Sequence, residues 1–190
     1  RTGATSYYIE LLGEPAPAGC EPVFALVPIA GRVDVVASSE LLESGRLLER
    51  GFISPDRTLF ISSSSRALTT MEKMQMGDGR FDSDRVHETA NALAQKYVHL
   101  DLEKLAQDNG TIISATLFGA MAGAGAFPWE RQVCEDVIRK GGRGIAASLA
   151  GFAAAFERAQ NPAGEPVEEI PAAQAMLVQE NVPENVPACF

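Results

Sequence analysis

A chain of 190 residues, 46% of them hydrophobic, holds enough material for one compact domain with some length to spare. Its net charge of −9 argues against nucleic acid as a partner, since phosphate binding needs a basic face, and no apolar run is long and unbroken enough to span a membrane. Cys20, Cys134 and Cys189 are odd in number and far apart, which speaks against a disulfide framework or metal knuckle and for reduced thiols in a cytoplasmic protein.

The opening Arg1-Thr2-Gly3 is followed by a strand-like run and carries no signal-peptide pattern. Ser6–Leu12 is aromatic and β-branched enough for a strand, and Pro15, Pro17 and Gly19 break the chain after it. Pro22–Pro28, short and apolar, reads as a second strand antiparallel to the first. Val33–Ala37 predicts a buried strand. Ser38 or Ser39 then caps a helix over Glu40–Arg50 that stops at Gly51. Thr58–Ser62 completes a βαβ unit with a right-handed crossover.

Ser63–Arg80 has no clean period and reads as an extended segment with a loop at Gly77-Asp78-Gly79. A helix follows from Asp82 or Ser83 to about Lys96, with Val86, Ala90, Leu93 and Ala94 on one face. Val98–Asp101 is a short strand, and Leu102–Gln107 a helical turn ended by Asn109-Gly110. Thr111–Gly123 is an apolar helix whose Ala and Gly residues allow close packing. Trp129–Lys140 is amphipathic through Val133, Val137 and Ile138, and Gly144–Ala159 is a last alanine-rich helix.

From Asn161 five prolines forbid long regular structure, and five glutamates face no Lys or Arg after Arg158. Residues 161–190 therefore read as an acidic, Pro-rich tail or linker, with one helical turn near Ala172–Gln179, and residues 1–160 as the domain. The expected architecture is a three-layer α/β/α domain with a mixed, mostly parallel sheet.

Chemistry is thin in this sequence. His87 and His99 lie twelve residues apart, and Asp84 with His87 on one helix face gives two groups without a third ligand. Solvated or packed histidines account for both. Cys134 sits within an amphipathic helix and reads as a buried thiol. Gly77-Asp78-Gly79 with Asn109 downstream has the outline of the pair that holds magnesium in thiamine enzymes. However, Lys73–Met76 is no apolar strand and the interval is long, so a tight turn explains the same residues. Arg1–Thr5 could bend toward an anion with Arg1 and the threonine hydroxyls as donors, or simply lead into a strand.

Several stretches together resemble the gamma-type domain of 2-oxoacid:ferredoxin oxidoreductases, closest to the indolepyruvate type. Arg1-Thr2-Gly3-Ala4-Thr5-Ser6-Tyr7-Tyr8 resembles that branch's R-T-G-A-T segment, and Val33–Glu43 its A-D-V-L-I-A-x-E-x-L-E. Glu72-Lys73 with Met76–Gly79 resembles its E-K-x-x-M-G-D-G, and Asn109–Thr111 with Ala115–Gly123 its late helix. The similarity runs from Arg1 to about Gln160. Family members carry a strand and a G-x-G-G-x-G loop ahead of this segment, which the sequence from Arg1 does not include.

The resemblance implies a multi-component enzyme that decarboxylates a 2-oxoacid oxidatively to an acyl-coenzyme A. Thiamine diphosphate, magnesium and iron–sulfur clusters lie on partner subunits or domains, and ferredoxin is the acceptor. This chain then has no catalytic residue, no metal and no cofactor of its own. It packs beside the thiamine and cluster domains, and a homodimer is compatible with it. Coenzyme A can approach at the interface, where Arg1, Thr2, Gly3, Thr5, Gly77, Asp78 and Gly79 are the candidate loop residues. The competing expectation is a stand-alone module that uses the same two loops for a phosphate-bearing ligand.

Overall fold

The computed structural model describes residues 5–16, 19–65 and 83–161. Three strands, β1 (Val35–Ser38), β2 (Leu59–Ser63) and β3 (Lys96–Leu100), form a parallel sheet in the order β1-β2-β3. β1 and β2 are joined through helix α1 (Leu41–Glu49), and α2 (Ser83–Leu93) precedes β3. After the sheet come α3 (Leu102–Asp108), α4 (Ile113–Ala124), α5 (Arg131–Arg139) and α6 (Ile145–Gln160).

Strand alternation gives the sheet two different faces. Val36, Phe60 and Tyr97 stand in one cross-strand row and pack with Leu47, Leu48, Ala90 and Leu93 from α1 and α2. Ile61 and Val98 point the other way, into a cluster with Leu102, Leu105, Ala120, Ala124, Ala155 and Ala159. A second aromatic cluster, Cys134, Phe152 and Phe156 with Phe118 and Phe127, joins α4, α5 and α6. Thr58 fastens the βαβ unit at its base: its hydroxyl donates to the Val33 carbonyl at 2.8 Å and accepts the Ser54 amide at 3.0 Å.

The expected βαβ unit is formed, with the cap moved by one or two residues. Glu40, not Ser38 or Ser39, is the N-cap of α1, its carboxylate accepting the Leu42 amide, while the Ser38 hydroxyl donates to the Glu40 carbonyl at 2.7 Å. The helix expected to reach Lys96 ends at Leu93, because the Gln95 amide turns to the Thr58 carbonyl and the chain joins the sheet two residues before Val98. In α5 the inward line is Cys134 and Ile138, against Phe152 and Phe156. Val133 and Val137, expected on the buried face, are exposed.

The two antiparallel strands expected at Ser6–Leu12 and Pro22–Pro28 are not formed, so among the described residues the sheet is wholly parallel rather than mixed. A strand needs a backbone ladder, and here the two stretches share only a bond from the Ala25 amide to the Glu10 carboxylate at 2.9 Å. Their side chains accordingly face solvent: Val23 is 96% and Leu26 99% exposed, and Tyr7, Ile9, Leu11, Val27 and Ile29 are also open.

Candidate functional site

In parallel α/β sheets ligands gather outside the carboxyl ends of the strands, because the loops that can vary without disturbing the sheet diverge there. The last cross-strand row on the α1/α2 face is polar throughout: Ser38, Ser62 and His99 stand side by side in register. Ser44 of α1 lies 2.6 Å from Ser62, hydroxyl to hydroxyl, with both fully buried. Ser62 in turn bonds to Tyr97, and the Tyr97 phenol lies 2.8 Å from Nδ1 of His87 on α2. The His87 and His99 rings are 4.8 Å apart, and Tyr97 stacks on both Phe60 and His99.

A hydroxyl–phenol–imidazole chain thus runs from α1 under the sheet's carboxyl edge to α2. Burial pushes the Tyr97 phenol up to about 12, with the Ser62 bond opposing the shift. The phenol is therefore neutral at physiological pH and acts as a donor and acceptor within the chain. The buried serines are spent on one another and on backbone carbonyls: the Ser44 hydroxyl lies 3.2 Å from the Glu40 carbonyl and the Ser62 hydroxyl 3.2 Å from the Ser63 carbonyl, and each has a single proton to divide among these acceptors. This arrangement fixes α1, β2, β3 and α2 relative to one another. It offers no exposed nucleophile. Burial likewise pushes the Cys134 thiol up, which keeps it protonated and inert.

On the other side of the molecule, a cleft of 280 Å³ lies where α4 and α6 begin, lined by Thr111, Arg143, Gly144 and Ser148 among others. Neither helix has a side-chain cap at its N-terminus, so free amides and the Arg143 guanidinium make this end electropositive. A groove of 440 Å³ continues from it between α4 and α5.

Of the loop residues proposed from sequence, Thr5 is described and is exposed at the start of the open N-terminal stretch. Arg1, Thr2, Gly3, Gly77, Asp78 and Gly79 lie outside the described residues. The histidines, read separately in the sequence, are brought together. Ser44, Ser62 and Tyr97 carried no signal of their own beyond serines at a strand's end, and Arg143 none beyond its place in a Gly-rich turn.

Among the described residues no three His, Cys, Asp or Glu side chains converge as metal ligands, and no helix is long and apolar enough to cross a membrane. No protein-family model matches the chain, and no curated protein or solved structure is significantly similar to it.

Proposed function

We propose that this chain is a non-catalytic subunit or domain of a cytoplasmic 2-oxoacid:ferredoxin oxidoreductase of the indolepyruvate type, built as a three-layer α/β/α unit. The reaction breaks the bond between C1 and C2 of the oxoacid, releases carbon dioxide, passes two electrons to ferredoxin and leaves the acyl group on the coenzyme A sulfur. Thiamine diphosphate, magnesium and iron–sulfur clusters belong to the partners in this reading, and this chain supplies a wall beside them, near coenzyme A.

Two lines support the reading. Four stretches resemble the family in order and spacing, from Arg1–Tyr8 to Ala115–Gly123. The observation that carries it is physical: large apolar side chains from Tyr7 to Ile29 stand open to solvent, a surface suited to burial against a partner.

The test is purification of the tagged full chain from its native host at low salt. Co-elution with larger subunits that carry thiamine diphosphate and iron–sulfur absorbance is the expected outcome. A chain that elutes alone and binds a phosphate-bearing ligand would replace this reading with the stand-alone module.

A further inference from the structure

Helix α5 carries an apolar stripe on its solvent side. Val133 and Val137, one turn apart, are 48% and 58% exposed, and Trp129, two residues before the helix begins and stacked on Phe127, is 47% exposed. The stripe leads into the 440 Å³ groove, whose walls include Ile112, Ala115, Phe118, Val137 and Ile138. Direction is fixed by the packing of α5 on α6. Arg131, at the start of α5, lies 4.8 Å from the Phe156 ring and 3.7 Å from the Glu157 carboxylate, near the end of α6. The end of α5 and Ser148, near the start of α6, line the same groove. The chain therefore leaves α6 near the start of α5, and the exposed valines run from that end toward the groove.

The sequence after this exit complements the surface. Ala172, Ala173, Ala175, Met176, Leu177 and Val178 form an apolar stretch between acidic flanks, Glu165, Glu168 and Glu169 before it and Glu180 and Glu184 after it. The groove end is basic. Lys140 and Arg143 have no ion pair among the described residues, whereas Arg131 and Arg139 are engaged with Glu135. The uncapped starts of α4 and α6 add positive partial charge there. The reach suffices: the 16-residue α6 is about 24 Å long at 1.5 Å per residue. Residues 162–171 can span roughly 30 Å even at the short polyproline rise of about 3.1 Å per residue.

We propose that the Ala172–Val178 stretch of this chain docks along Trp129–Val133–Val137 into the groove between α4 and α5, its acidic flanks meeting Lys140 and Arg143. The molecule thereby covers its own exposed helical face, and any partner that uses this face must displace the stretch. This inference does not depend on assignment to the oxidoreductase complex.

Trp129 is the single tryptophan and reports on its own cover. Acrylamide quenching of its fluorescence is measured in the full-length chain, in the full-length double variant Met176→Glu/Leu177→Glu, and in Val137→Glu. Expected is a shielded Trp129 in the parent and several-fold stronger quenching in both variants. High salt should weaken the parent's shielding, because the flanking contacts are charged. Shielding should not change between about 1 and 100 μM chain, since the contact is intramolecular. Equal quenching of parent and double variant overturns the proposal. So does shielding that grows with concentration, which would assign the face to a second copy.

Discussion

Tyr97 shows how one side chain ties three elements, β2, β3 and α2, together. Its ring stacks between Phe60 and His99, and its hydroxyl joins Ser62 to His87. Replacing it with phenylalanine keeps the ring and leaves two polar neighbours short of a partner, which should cost about 1–2 kcal/mol at pH 7. The pH dependence has a definite sign. The folded phenol titrates near 12 against 10.0 when free, so its contribution is complete below pH 10 and is lost as pH rises from 10 toward 12. Urea midpoints at pH 7 and near pH 11 check both parts: the gap between parent and Tyr97→Phe should narrow at the higher pH. The sequence contains Tyr97, His87 and His99 in plain view, yet their meeting depends on register. Tyr97 and His99 share a strand face, and α2 must pack on that face, which spacing along the chain does not specify.

Among the elements, α4 and α6 make the tightest contact. A Cβ added at Gly119 would stand 2.2 Å from the Phe152 carbonyl oxygen, and one at Gly123 2.3 Å from that of Phe156. Alanine is ordinarily the better helix residue by about 1 kcal/mol. Here the sign should reverse, because the obstacle is rigid backbone, and Gly119→Ala should lose roughly 1–3 kcal/mol. Thermal melts beside Gly13→Ala, whose added Cβ meets nothing within 4 Å, make the comparison. That α4 packs closely was legible from its small residues, and the βαβ unit from its apolar runs and the glycine at Gly51. The N-terminal strands were misread because Tyr7, Ile9 and Leu11 have strand-forming side chains but no ladder to join. Propensity proposes a strand, and only a partner makes one. Of the three apolar residues expected on the α5 face, Ile138 does turn inward, but in line with Cys134, which leaves Val133 and Val137 exposed.

At the scale of the whole molecule, the described residues present apolar surfaces on α5 and along the N-terminal stretch. The loop residues first proposed for a ligand lie beside the second or outside the described residues. In the proposed reading, a partner subunit buries the N-terminal surface. The double variant Ile9→Lys/Leu11→Lys changes only exposed side chains, so its melting temperature should stay close to the parent's. The most direct measurement is the amount of thiamine-containing and iron–sulfur-containing partner recovered with this variant and with the parent chain from the native host. The account predicts that the parent brings the partners down and the variant loses them. A parent chain without such partners, or a variant that retains them fully, would contradict it.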